Sequence, residues 1–258
     1  MYDISFAIVT YNNENLIEST INSLVTFVGD KLSYVIYIID NASKDDTLSR
    51  VKKCKGNLVI LENDKNIGFG AAHNKVLPIL DSLYHVAVNP DITVENNCIA
   101  EMFEYMDKHD EIGLLTPLIR HPNGEIQYLC KHNPTFIDLF LRLALPNAFK
   151  KRQDAFTMKE TGYDHPFMVE YATGCFMFFR TEIFKQVKGF DLNFFLYLED
   201  ADITRRVNQI SKTLFYPYNH VTHQWQRGAH KSLRLMLVNV HSAVYYWWKW
   251  KINLDKSM

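Results

Sequence analysis

Through the first half of the chain, short β-branched runs alternate with stretches whose apolar positions recur every three or four residues. This is the pattern of β-α-β units and a mainly parallel sheet. Residues 4–9 predict the first strand, and apolar Leu16, Ile17, Ile21 and Leu24 then predict a helix over 14–27, with Asn12 and Asn13 as capping candidates. Strands are expected at 34–39, 58–61, 85–88 and 112–117, and helices at 47–54, 68–80 and 96–108. Beyond residue 120 the alternation fades. There the pattern predicts an amphipathic helix over 136–149, a polar mobile segment from Lys150 to Pro166, strands near 168–171 and 175–180, and helices over 199–210 and 232–253. The expected class is α/β, one continuous domain with a Rossmann-like half over 1–120 and a less regular half, ending in helices, over 121–258.

Composition narrows the partners. With Lys+Arg 28 against Asp+Glu 29, the net charge of -1 offers no field for a nucleic-acid backbone, so nucleic acid is not an expected partner. Cys54, Cys98, Cys130 and Cys175 lie far apart without a C-x-x-C pair, which fits a reducing compartment. The N-terminus enters a strand-like run at once, with no export signal. The most apolar stretch, 233–250, is interrupted by Arg234, Asn239, His241 and Lys249, so no spanning helix is expected.

In an open α/β sheet, ligands bind beyond the carboxyl ends of the strands. Three predicted strand ends are polar: Thr10-Tyr11-Asn12, Asp40-Asn41-Ala42-Ser43 and Asn89-Pro90-Asp91. Such residues are also ordinary turn and cap formers. Asp40 follows the apolar run 35–39, where its carboxylate can accept the imide N–H of a uracil or thymine; helix capping is its other reading, a role for which Asp45 or Ser43 is better placed. Asp91 is a candidate ligand for a hard divalent cation, Mg2+ or Mn2+, of the kind that neutralises a diphosphate leaving group. Asn89 stands where a D-x-D pattern would have its first carboxylate, and His223 is a candidate for further support at the metal, although a lone histidine is more often structural. The run from Asn66 through Gly68 and Phe69 to Asn74 is a glycine-containing turn at a helix start, able to approach an anion; its spacing is neither a dinucleotide fingerprint nor a P-loop.

Glu199, Asp200 and Asp202 follow an aromatic run at an expected helix start, where the helix dipole alone favours one or two acids. A third invites a catalytic reading, in which Asp200, with Glu199 as the alternative, takes the proton from an attacking hydroxyl. Asp202 shares a helix face with Arg205 and Arg206 and is expected to pair with them.

The segments 8–12, 39–43, 66–74, 89–91, 173–177 and 189–200 occur in the order seen in family 2 glycosyltransferases, and over roughly residues 4–250 the chain resembles rhamnosyltransferases of bacterial O-antigen and related cell-surface polysaccharides. The resemblance implies a GT-A fold, inverting chemistry and a dTDP-L-rhamnose donor. It also implies base contact by Asp40 with Thr10 and Asn12 lining the pocket, metal and diphosphate contact by Asp91, catalysis by Asp200 and assistance by His223. The Asn-Pro-Asp form, shared by many relatives, leaves open the number of metal ligands. A UDP-hexose or UDP-galactofuranose donor keeps the same chemistry, whereas a non-catalytic sugar-nucleotide-binding module is hard to square with an intact Asp200. A hydrolase lacks a second acid at matched distance.

Residues 227–258 carry Arg227, Lys231, Arg234, Lys249, Lys251 and Lys256 against Asp255, a local charge of 6 − 1 = +5. With Tyr245, Tyr246, Trp247, Trp248 and Trp250 interleaved, that tail suits an anionic headgroup boundary, as does Leu139-Phe140-Leu141 with Lys150-Lys151-Arg152; a core-packing helix is the other reading. A lipid-linked (glycolipid or polyprenyl-diphosphate) sugar acceptor would explain both surfaces. The location expected is the cytoplasmic face of the plasma membrane, with the oligomeric state left open.

Overall fold

Both faces of strand β1 (Tyr2–Thr10) are buried from Ile4 onward, which places it inside a sheet rather than at its edge. A computed structural model describes residues 1–29, 32–135, 137–138, 149–224 and 233–255 of the chain. Around β1 lie β2 (Tyr34–Asp40), β3 (Leu58–Glu62), β4 (Ser82–Val88), β5 (Ile92–Thr93), β6 (Ile112–Arg120), β9 (Phe176–Arg180) and β10 (Lys212–His223). They form an eight-stranded sheet in the order β3-β2-β1-β4-β9-β6-β10-β5. Strands β7 (Cys130–Lys131) and β8 (Tyr171–Ala172) form a separate antiparallel pair.

The sheet is mixed. Strands β1 to β4 run parallel, as do β6 and β10, but β9 enters antiparallel between β4 and β6, and β5 pairs antiparallel with β10. Strands from both sides of residue 120 therefore share one sheet. One face packs on α1 (Ile17–Phe27) and α4 (Cys98–Asp107), whose buried Ile17, Ile21, Leu24, Ile99, Met102 and Met106 recur at helical spacing. The other face packs on α3 (Phe69–His73), α6 (Thr181–Gln186) and α7 (Glu199–Val207) through Ala72, Phe184, Ile203 and Val207. Helix α2 (Thr47–Val51) is a single short piece after β2.

Three sequence expectations change. Helix α1 begins at Ile17 because the Asn13 side chain, instead of capping, accepts from the Thr10 hydroxyl and the Tyr11 N–H. The helix expected over 68–80 stops at His73 and continues as a 3-10 segment, Asn74–Ile79, which contains Pro78, unable to donate a helical hydrogen bond. The segment expected to be mobile from Lys150 contains helix α5 (Lys150–Phe156), anchored by buried Phe156. Most of the helix expected over 136–149 lies outside the described residues, as do Leu139-Phe140-Leu141, Arg227, Lys231 and Lys256.

The final helix, α8 (Leu233–Asp255), buries Ser242, Tyr246 and Trp250 in a third cluster with Phe156, Tyr171, Phe194, Leu198 and Ala201. Its opposite face exposes Leu237 (65%), Val244 (57%), Trp247 (47%) and Trp248 (57%). Among the described residues no helix is long and apolar enough to cross a membrane.

Candidate active site

Strand ends β1 and β2 are adjacent because Thr10 registers with Asp40. Buried Asp40 accepts the Ser43 N–H at 2.9 Å and the Ser43 hydroxyl at 2.5 Å, and Ser43 Oγ accepts the Asn12 N–H at 3.0 Å. Asn12, at φ 57°, turns the chain so that its own Oδ1 accepts the Lys44 N–H. Helix capping thus does not occupy Asp40; Asp45 takes the N–H and hydroxyl of Thr47 instead. Tyr11 stands half-exposed at the rim.

The glycine-containing turn packs against the loop before α7. Gly68 lies at φ +91°, and a Cβ there would meet the Phe195 carbonyl oxygen at 2.3 Å, so the close approach requires glycine. The Phe69 N–H donates to that same oxygen. Asn66 accepts the Gly68 N–H, and Asn74 spans the Phe190 backbone, donating to its carbonyl at 2.7 Å and accepting its N–H at 2.8 Å. Both asparagine side chains are committed to fixing this turn, and the Phe69 ring packs edge-on against buried His73.

The β5–β10 pairing, His223 opposite Ile92, brings His223 beside Asp91. Asp91 Oδ1 is buried without a hydrogen-bond partner, and His223 Nε2 lies 3.4 Å away, longer than a good hydrogen bond. Gln127 sets the histidine tautomer: its Nε2 donates to the His223 carbonyl at 2.7 Å, so its Oε1, 2.9 Å from His223 Nδ1, accepts the ring proton there. In the neutral ring this leaves the Nε2 lone pair towards Asp91, the arrangement that an acceptor on the other ring nitrogen imposes on metal-binding histidines. An orphaned carboxylate oxygen facing an imidazole nitrogen fits a hard cation that keeps water or phosphate as its other ligands. No cluster of three or more candidate ligands occurs among the described residues.

Three consecutive residues tie the centre together. Cys175 accepts the Asn89 N–H through its carbonyl, the Gly174 N–H donates to Asp200 Oδ2 at 2.9 Å, and Thr173 Oγ1 accepts from Lys131 Nζ at 2.9 Å. Asp200 Oδ1 also accepts the Ala201 N–H, so two donors fix its carboxylate. Beside it Glu199 is buried, with Oε2 lacking a hydrogen-bond partner; burial, and then the charge of Asp200, push its carboxyl up to about 8. Tyr197 and Leu198, at φ 72° and 67°, precede this pair in a left-handed conformation costly for residues with side chains.

Helix α8 holds that strained loop. Ser242 donates to the Leu196 carbonyl at 2.8 Å, Tyr245 to Asp191 at 3.0 Å, and Lys249 to Asp191 at 2.7 Å and Asp202 at 2.6 Å. Trp250 Nε1 also donates to Asp202. As expected, Asp202 pairs with Arg206, at 2.8 Å; Arg205 does not pair with it and instead lies over the Trp250 ring. Burial alone would raise the Asp191 carboxyl, but hydrogen bonds led by that from Lys249 hold it at about 2. The fold therefore converges Asp40 with Thr10 and Asn12, Asp91 with His223, and Asp200 with the segment that touches Asn89. Sequence reasoning missed Gln127, Lys131 and Lys249, none of which carries a motif.

A family model described as Glycosyl transferase family 2 matches residues 5–187. The N-acetylglucosaminyl-diphospho-decaprenol L-rhamnosyltransferase of Mycobacterium tuberculosis is 24% identical over 83% of this chain and 76% of its own. Rhamnosyltransferase WbbL of Escherichia coli K12 is 25% identical over 84% and 81%. Among solved structures, S. aureus TarS 1-349 superposes with a TM-score of 0.62 at 18% identity, covering 93% of this chain and 65% of that one. A Pyrobaculum calidifontis mannosyltransferase in complex with GDP-Man and Mn2+ gives 0.63 at 16% identity, covering 89% and 59%. These structural likenesses show the GT-A fold.

Proposed function

The chain belongs to glycosyl transferase family 2, and from that premise we propose that it is an inverting transferase moving L-rhamnose from dTDP-L-rhamnose to a lipid-linked or polysaccharide acceptor in cell-surface polysaccharide synthesis. The observation that carries this reading is the segment 173–175, which links the Asn-Pro-Asp loop to the Asp200 carboxylate. The rhamnosyl donor and the lipid-diphosphate acceptor are suggested by the two relatives' printed activities.

In this reading Thr10, Tyr11, Asn12 and Asp40 surround the nucleotide base, and Asp40 can accept its imide N–H alongside the Ser43 bonds, since a carboxylate has about four lone-pair sites. Asn66, Gly68, Phe69 and Asn74 shape the wall behind the nucleotide, and Asn89 orients its loop. Asp91 and His223 would hold the divalent cation, Mg2+ or Mn2+, which when bound neutralises charge on the departing diphosphate. Asp200 takes the acceptor hydroxyl proton as that oxygen attacks the anomeric carbon from the face opposite the diphosphate. Glu199, pushed up to about 8 by burial and then by Asp200, keeps its proton at neutral pH and so does not compete for this role.

The outer face of α8, with Trp247, Trp248, Val244 and Leu237 exposed beside Arg234 and Lys251, would rest on anionic headgroups at the cytoplasmic face. Co-sedimentation with phosphatidylglycerol vesicles, and its absence with phosphatidylcholine vesicles, is the expected sign. Incubation of the chain with Mn2+, an acceptor and dTDP-rhamnose should release dTDP; release from UDP-hexose or UDP-galactofuranose alone would move the donor to UDP. No nucleoside diphosphate from any of these donors would end the reading.

A further inference from the structure

The open sheet ends differently on its two sides. At one edge β5 spans only Ile92–Thr93, whereas at the other β3 spans Leu58–Glu62 and, among the described residues, pairs with β2 alone. Two ladder bonds fix which way the β3 backbone points. The Ile36 N–H donates to the Asn57 carbonyl and the Asn63 N–H to the Asp40 carbonyl, so the odd-numbered residues of this stretch are the ones bonded to β2. Backbone directions alternate along a strand, so the N–H and C=O groups of Leu58, Ile60 and Glu62 point out of the sheet. Among the described residues none bonds to them.

Such a row of groups is a template for another strand, and proteins usually blunt it with a charge, a proline or a bulge inside the edge. Leu58-Val59-Ile60-Leu61 contains none of these, and its register with β2 is unbroken. All four side chains are half-buried, Leu58 and Ile60 at the rim of the core on one face of the sheet, Val59 and Leu61 at the rim on the other. Charge gathers at the two ends, with opposite sign. Lys52, Lys53 and Lys55 precede the apolar run, and Glu62 and Asp64, with Lys65, follow it. A parallel copy of this strand would set like ends together. An antiparallel copy sets the lysine end of each against the acidic end of the other, a self-complementary arrangement of the kind a two-fold axis produces.

We propose that the β3 edge is where a second copy of this chain pairs, antiparallel, about a two-fold axis through Ile60. Centred there, Ile60 faces its own counterpart and Leu58 faces Glu62, so every outward N–H meets an outward carbonyl. Val59 meets Leu61 on the opposite face. The pairing leaves the β10–β5 end, with Asp91 and His223, at the far edge of each sheet, and it stands independently of the transferase reading.

Sedimentation velocity on the whole chain tests the pairing, and cysteine cross-linking tests its register. The parent should sediment as a dimer whose fraction rises with concentration, because the ladder is short. Cross-linking uses a Cys54→Ser background, since Cys54 is half-buried nearby and the other three cysteines are buried. Ile60→Cys should close an intermolecular disulfide under air oxidation, because facing residues of a hydrogen-bonded antiparallel pair stand about 5.5 Å apart, within disulfide reach. Val59→Cys should not, because Val59 faces Leu61 rather than its own counterpart. Glu62→Lys, at an exposed position, removes the charge match twice across the axis and should raise the dimer dissociation constant at least about 10-fold. Ile60→Lys, which puts a charge inside the edge, should raise it further. A parent that stays monomeric at every concentration overturns the proposal. So does cross-linking of Val59→Cys as readily as of Ile60→Cys, the sign of random collision. A dimer that survives both lysine variants overturns it too, and loss of that dimer in Trp248→Asp would assign the association to the outer face of α8 instead.

Discussion

The two sides of the crevice are held in different ways. Around Thr10, Asn12, Asp40 and Ser43, short hydrogen bonds between neighbouring strand-end loops set every side chain, and the parallel register of β1 with β2 does the rest. Around Asp200 the conformation is strained at Tyr197 and Leu198 and depends on a helix that begins more than thirty residues later, through Asp191, Asp202, Lys249 and Trp250. A group of side chains set by local turns tolerates changes elsewhere; a carboxylate positioned by a remote clamp does not.

The largest effect should come from the base itself. Asp200→Asn should lower kcat by about 10²–10⁴-fold, the range for removing a general base, with dTDP affinity measured by calorimetry unchanged. Equal turnover by this variant would hand the role to Glu199. Next comes the clamp. Lys249→Met leaves Asp202 and Asp191 without their shared cation and should cost about 3–5 kcal/mol in urea unfolding, the penalty for breaking a buried pair, whereas Ser43→Ala on the donor side should cost only about 1 kcal/mol. Similar losses for both would erase the contrast between the two sides.

At the junction of the two sides, Gln127→Ala removes the group that sets the His223 tautomer and should weaken Mn2+ affinity by about 10–100-fold, the usual cost of losing the hydrogen-bond partner of a ligating histidine, read as the Mn2+ concentration that supports half-maximal dTDP binding. The smallest effect on turnover should belong to Glu199→Gln. The folded carboxyl, pushed up to about 8 by burial and by Asp200, keeps its proton where the unfolded one, with an ordinary value of 4.5, loses it. Stability contributed by the protonated form is therefore present below about pH 4.5 and is lost as pH rises through 8. The melting temperature of Glu199→Gln relative to the parent should climb from pH 5 to pH 8.5 and then level, while turnover survives.

Much of the first half was legible in the sequence because its elements are local: each strand is a continuous β-branched run and each helix carries its own apolar stripe, as in 34–40 and 98–107. Where legibility failed, a distant partner had intervened. Asn74 belongs to Phe190 rather than to a longer helix, and Asn13 to Thr10 and Tyr11 rather than to a cap. Strand β10 has a continuous aromatic stretch only at Leu214-Phe215-Tyr216, because Pro217-Tyr218-Asn219 break its pattern; the structure accommodates them as a register shift between Tyr216 and His220. Polar strand ends point to Asp40 and Asp91 as candidates, and His223 is named beside Asp91 from the residues as well as through the resemblance. Gln127, Lys131 and Lys249 matter through side-chain partners 96, 42 and 58 residues away, and no local pattern encodes such distances.

The grip of α8 on the loop before Glu199 also bears on synthesis. A ribosome finishes the sheet, Asp91, Asp200 and His223 well before it makes Lys249 and Trp250. Until that helix emerges and docks, the loop with the left-handed turn at Tyr197 and Leu198 keeps its contact with the Gly68 turn but lacks the bonds from Ser242 to Leu196 and from Lys249 to Asp191. The conformation before Glu199 is therefore completed by the same amphipathic segment that carries the exposed tryptophans.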